Sequence, residues 1–96
     1  MSIYLTAILQ CKPTHSETFK VLLKQLEFDS NQEEACLKYE LHQSIEDENT
    51  FIFLEIWQDQ EGLDLHNQQP HLKSFQVNVA DIIAGPAIIY KTQIVN

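Results

Sequence analysis

His66 and His71 stand either side of Pro70 in His66-Asn67-Gln68-Gln69-Pro70-His71, just downstream of an apolar run that carries Glu55 and Trp57. Two imidazoles, a carboxylate and an indole therefore fall in one short stretch of an otherwise plain, acidic chain. Histidine titrates near neutrality, so His66 is the candidate general base, with Glu55 the carboxylate that would fix its tautomer and stabilise the imidazolium. The same pair could carry protons for an enolisation. His71, Trp57, Tyr39 and Phe75 are the candidate substrate-binding residues, their rings suited to a pocket wall. Each has a structural alternative: His66 could cap a short helix, Glu55 could pair with Lys38 or Lys73, and Trp57 could be core.

His66, His71 and Glu55 also make up the ligand set of a non-haem iron site. Yet a five-residue gap interrupted by proline is not the i, i+4 spacing that aims two helical histidines at one ion. No metal is expected on that ground. The only glycines are Gly62 and Gly85, so no phosphate-cradling loop exists for a nucleotide cofactor, and no hydrolase nucleophile motif is present. The expectation is chemistry without a cofactor.

The elements that must position these residues can be read from hydrophobic period. Residues 3–11 alternate as a strand until Lys12-Pro13. Thr14 and Glu17 have capping-box spacing, which predicts a helix starting there, with Phe19, Leu22, Leu23 and Leu26 as its apolar stripe and an end near Asp29-Ser30-Asn31. A strand around residues 37–42, a polar turn at Glu46–Asn49 and a strand over residues 50–58 make a hairpin. On the last of these, Ile52, Leu54 and Ile56 oppose Phe51, Phe53, Glu55 and Trp57, so both faces call for cover. Helices can supply one cover, and a second copy of the chain the other. Asp59 caps a short helix carrying Leu63, Leu65 and His66. Pro70 opens another with Leu72, Phe75, Val79 and Ile82, stopped by Gly85-Pro86 before a last strand over residues 87–95. The result is an α+β chain with a ferredoxin-like βαββαβ order and a four-stranded antiparallel sheet, one domain across residues 1–96.

Charge and size narrow the partners. At 96 residues the chain supports one core, and 6 basic against 14 acidic side chains leave a net charge of −8, which repels nucleic acid and anionic membranes. The apolar first ten residues lack a basic leading segment and a cleavage site, so the chain reads as cytoplasmic. Cys11 and Cys36 have no CxxC pattern and read as free thiols.

Cys36-Leu37-Lys38-Tyr39-Glu40-Leu41, then Phe53-Leu54-Glu55-Ile56-Trp57, then His66 with Pro70-His71, Phe75 and the Gly85-Pro86 entry to the last strand resemble the antibiotic biosynthesis monooxygenase family. The resemblance implies a homodimer, a dimeric α/β-barrel in which two sheets pack face to face, with a pocket between each sheet and its helices. It implies a cofactor-independent oxidation of a small quinol-like or polyphenolic, enolisable substrate by dioxygen. The Gln32-Glu33-Glu34 approach to the second strand, with Glu55, His66 and Pro70-His71, is similar also to the autoinducer-2-type isomerases, which implies as alternative an isomerase of a small phosphorylated keto substrate. A non-catalytic ligand-binding dimer is the third reading. Haem degradation is set aside, because Thr6, His66 and Gln76 stand where that branch has asparagine, tryptophan and histidine.

Overall fold

Alternating apolar side chains draw four stretches into strands, β1 (Ile3–Gln10), β2 (Cys36–Gln43), β3 (Thr50–Trp57) and β4 (Ile88–Thr92). Three helices, α1 (Ser16–Asn31), α2 (Gln60–His66) and α3 (Pro70–Val79), complete the computed structural model, which describes residues 1–96. The strands form one antiparallel sheet in the order β2-β3-β1-β4. This is the ferredoxin-like α+β arrangement, with the second crossover split into α2 and α3. No helix is long and apolar enough to cross a membrane.

The pleat sorts β3 as its period requires. Phe51, Phe53, Glu55 and Trp57 are buried beneath the helices, while Ile52, Leu54 and Ile56 on the other face are only half-buried. Register places Tyr4, Thr6 and Ile8 of β1 on that second face, beside Ile88 and Tyr90 of β4. This uncovered face is apolar at its centre, with Lys38, Glu40 and His42 of β2 along one side of it. The covered face holds the core, where Phe19 of α1 meets Phe51 edge-on at 5.5 Å and Trp57, Phe19 and Phe51 are wholly buried. Each such ring contributes about 1.5–3 kcal/mol by leaving water, so this layer dominates the stability of the chain.

Backbone groups on the outer side of β2 are satisfied by α1. Glu27 Oε2 accepts from the Leu41 amide at 2.7 Å, and Asn31 Nδ2 donates to the Tyr39 carbonyl at 2.9 Å. One sequence expectation about α1 fails. Thr14 has φ 74°, in the left-handed region, so it cannot present its hydroxyl as a cap; α1 starts at Ser16, and His15 flanks it without a side-chain cap. The end of α3 also differs. Ile82 does not continue the helix, because the chain turns after Val79 to pair with the end of β1, Lys12 N donating to Ile82 O at 2.8 Å and Ala84 N to Gln10 O at 2.8 Å. Likewise β4 is shorter than residues 87–95, stopping at Thr92 with Ile94 and Val95 exposed beyond it.

Asp59 does cap α2, accepting from the Gly62 amide at 2.8 Å. A Cβ placed on Gly62 would overlap the Cβ of Ala35, in the segment between α1 and β2. That close approach sets the distance between α2 and this segment. Gly62→Ala gains up to ~1 kcal/mol of helix propensity. The forced overlap costs about 1–3 kcal/mol, because neither atom is the free end of a flexible chain. A net loss of stability is expected in urea denaturation, and a variant as stable as the parent would show that the contact is not close.

Candidate active site

Between the covered face of the sheet and α2 and α3 lies a cavity of about 660 Å³. Its wall is mostly hydrophobic, 13 of 19 residues, which suits an apolar or aromatic occupant. Tyr39, Glu55, His66 and Phe75 all lie on it. Across the sheet, Glu55 sits in a row between Leu5 of β1 and Tyr39 of β2, so an acid on the third strand is set among apolar and aromatic neighbours. Desolvation raises its pKa to about 7; the indole N–H of Trp57 opposes that rise and the charge of Glu33 adds to it. The Tyr39 hydroxyl is likewise pushed well above its ordinary value by burial and by Glu55.

His66 closes α2 and is buried. Its Nδ1 lies 2.7 Å from Glu33 Oε2, and His71 Nε2, from the first turn of α3, lies 2.7 Å from the same oxygen. A carboxylate oxygen only accepts, so both rings donate to it. Glu33, not Glu55, therefore orients His66. Glu55 instead accepts from Trp57 Nε1 at 2.8 Å. The structural alternative for Glu55, an ion pair with Lys38 or Lys73, is not formed: Lys38 pairs with Glu40 at 3.7 Å and Lys73 makes no ion pair. Ser30 Oγ is the one sealed side-chain polar atom without a partner. His66 Nε2 and Glu55 Oε2, which have no protein partner, are consequently open to the cavity. Burial lowers the pKa of His66 from its ordinary value against the opposing pull of Glu33, so the ring is neutral near pH 7 with its lone pair on Nε2.

Two of the candidate binding residues lie elsewhere than the cavity wall. Trp57 is fully buried behind it, its ring 4.5 Å from that of His66, so it braces both His66 and Glu55. His71 faces a separate outer depression through Glu33. Glu33 is the candidate site residue for which the sequence suggested no role. Only its place in Gln32-Glu33-Glu34, beside the start of β2, hinted at it. The argument from spacing against convergence of His66 and His71 also fails, because the corner between α2 and α3, not one helical face, brings them to one oxygen.

A neutral imidazole with its remote nitrogen anchored, and a carboxyl that holds its proton to about pH 7, share one apolar cavity. That is an acid and a base poised at the same pH. Comparison with known proteins agrees with this architecture. The sequence pattern of the antibiotic biosynthesis monooxygenase family matches residues 2–78, which span Glu33, Tyr39, Glu55, Trp57, His66, His71 and Phe75. A Bacillus subtilis (strain 168) protein named "Putative monooxygenase YcnE" is 29% identical over 92 residues, 96% of this chain and 97% of that protein. The crystal structure of PA3566 from Pseudomonas aeruginosa superposes with a TM-score of 0.93 at 26% identity, over 99% of this chain and 95% of that one. A conserved protein from Methanosarcina mazei Go1 superposes with a TM-score of 0.89 at 27% identity, over 97% and 92% of the two chains. By sequence pattern and by fold, the chain belongs to the antibiotic biosynthesis monooxygenase family.

Proposed function

We propose that the protein is a cofactor-independent monooxygenase that oxidises a small quinol-like or polyphenolic substrate with dioxygen, working as a homodimer in the cytoplasm. The observation that carries this reading is His66, neutral and tied at Nδ1 to Glu33, with Nε2 open to a mostly apolar cavity that also holds the proton of Glu55.

His66 Nε2 takes the proton of a substrate hydroxyl, giving an electron-rich phenolate. The phenolate gives an electron to dioxygen, and the resulting pair combines into a carbon–oxygen bond, a peroxide on the ring carbon. The His66 imidazolium first returns its proton to the distal peroxide oxygen. His66 Nε2 then takes the ring carbon's proton as the O–O bond breaks to leave a carbonyl, the departing hydroxide takes the proton of Glu55 and leaves as water, and the imidazolium passes its proton back to Glu55. Substrate plus dioxygen becomes an oxygenated quinone plus water, with the substrate supplying all electrons. The protein contributes the base, the acid, and an apolar site in which the anion is poorly solvated and readily oxidised. The isomerase reading shares the acid–base pair, but a phosphorylated substrate calls for several cations. Lys91 is the one lysine on the cavity wall, and its Nζ already donates to Gln60 at 2.9 Å; Lys38 lies on the open sheet face. The oxygenase reading is favoured by that difference.

The partner is argued from the uncovered sheet face, whose Ile8, Ile52, Leu54, Ile56, Ile88 and Tyr90 match a second copy of themselves. Free thiols at Cys11 and Cys36 suit a reducing compartment.

Oxygen uptake with a panel of quinols tests the chemistry. His66→Gln, which keeps a donor beside Glu33, is expected to lower turnover by about 10²–10⁴-fold. The pH profile of kcat/KM should be bell-shaped: rising as His66 loses its proton below its ordinary 6.5, and falling as Glu55 loses its own at about 7. Glu55→Gln should remove the alkaline limb, and a limb that persists in that variant would take Glu55 out of the mechanism. Light scattering at micromolar concentration should return about twice the 11.1 kDa chain mass, and Leu54→Glu should halve it. A parent protein of single-chain mass would remove the partner.

A further inference from the structure

We propose that Glu33, His66 and His71 form a binding site for a divalent transition metal such as Zn²⁺, and that the bound ion switches off the base. The inhibitory half of this proposal rests on the function proposed above; the binding half does not.

Glu33 Oε2, His66 Nδ1 and His71 Nε2 are donor atoms of the kinds that borderline cations prefer, and all three lie within 4.8 Å of one another. Glu33 Oε2 is 2.7 Å from each nitrogen. In a tetrahedral site with bonds near 2.0–2.1 Å, neighbouring donors stand about 3.3 Å apart. The oxygen must therefore draw back roughly half an ångström from each nitrogen to admit the ion, while the two nitrogens settle toward the same spacing from a separation of no more than 4.8 Å. Two hydrogen-bond protons occupy its place now, and each ring remains neutral if its proton moves to its far nitrogen. The fourth position is left for water.

Access supplies the second observation. Glu33 and His71 line an open depression of about 600 Å³ on the outer surface, distinct from the apolar cavity. Asp29, Glu34, Asp59 and Glu61 share that wall, and no lysine or arginine does. Five carboxylates without a counter-cation draw cations toward the two imidazoles, in a chain whose net charge is already −8. A hydrogen-bonded cluster serving only to hold α2 to α3 has no need of such an entrance.

The consequence for catalysis follows from the two nitrogens of one ring. With Glu33 as partner, Nδ1 carries the proton and Nε2 offers a lone pair to the cavity. With a metal on Nδ1, the proton resides on Nε2, and the cavity faces a donor where it had a base. The ion enters from the acidic side and the substrate from the apolar side, so the two need not compete for space. Metal occupancy should therefore lower kcat while leaving substrate affinity nearly unchanged.

Titration of the metal-free protein with ZnCl₂ in a non-coordinating buffer, followed by calorimetry, is expected to give one site per chain in the micromolar range or tighter. Co²⁺ should give visible d–d bands of a four- or five-coordinate ion. His71→Ala, the more exposed ligand, and Glu33→Gln should each weaken binding roughly tenfold or more, with circular dichroism confirming that both remain folded. Nitrogen-15 spectra of histidine-labelled protein read the His66 tautomer without reference to activity: the proton should move from Nδ1 to Nε2 as Zn²⁺ is added. Absence of binding, or binding unchanged in both variants, would overturn the site. Binding without the tautomer change, or with turnover unaffected, would overturn the switch. Zn²⁺ binding with no quinol turned over even by the metal-free protein would count against the proposed oxygenation and leave the site standing.

Discussion

One carboxylate oxygen, Glu33 Oε2, ties together three parts of the chain: the segment after α1, the end of α2 and the start of α3. Hydrogen bonds to a charged group contribute about 1.5–3 kcal/mol each, and both of these are largely shielded from water. The oxygen can serve both rings only because its own position is set. The Glu33 amide donates to Ser30 O at 3.1 Å, the neighbouring Ala35 carbonyl accepts from the Gln58 amide at 2.9 Å, and Gly62 lets α2 come down onto Ala35. Sheet, helix end and site geometry are therefore one problem with one solution.

Much of the architecture was legible in the chain because burial imposes a period. Glu55 could be assigned to the helix-covered face of β3 from its alternation with Phe51, Phe53 and Trp57, and its placement on the cavity wall follows from that face. Pro70 marked the start of α3 and Asp59 the cap of α2 for local steric and hydrogen-bonding reasons. Thr14 misled for the opposite reason. Its spacing to Glu17 suits a cap, but a tight turn after Pro13 puts it in the left-handed region, which no side-chain pattern announces. The partner of His66 was illegible in a deeper sense. Glu33 lies 33 residues away, and only folded geometry decides between it and the nearer Glu55. Convergence of His66 and His71 depends on the turn between two helices, a quantity that spacing along one helix does not contain.

Trp57 shows how a residue outside the cavity can govern it. The indole has a donor and no acceptor, so it can satisfy one oxygen of Glu55 without competing for the proton that the other oxygen carries. Its face lies against His66 at 4.5 Å and its edge toward Tyr39 at 6.2 Å, which removes water from both rings. The same ring thus helps to keep a histidine neutral by excluding water, while its N–H tempers the rise that burial imposes on the Glu55 carboxyl. Desolvation disfavours the charged form of each, and that shared cause brings their proton affinities together.

The contacts that α1 makes with β2 bear on how such sheets meet one another. Glu27 and Asn31 occupy backbone groups at the centre of the β2 edge, which is thereby closed to an incoming strand. At the opposite end of the sheet β4 has no such guard, and its residues are exposed. Head-to-tail growth needs two unlike edges, one to receive and one to offer, and this sheet has a single free one. A strand added to this sheet must therefore come to β4, and the β2 edge stays closed to it.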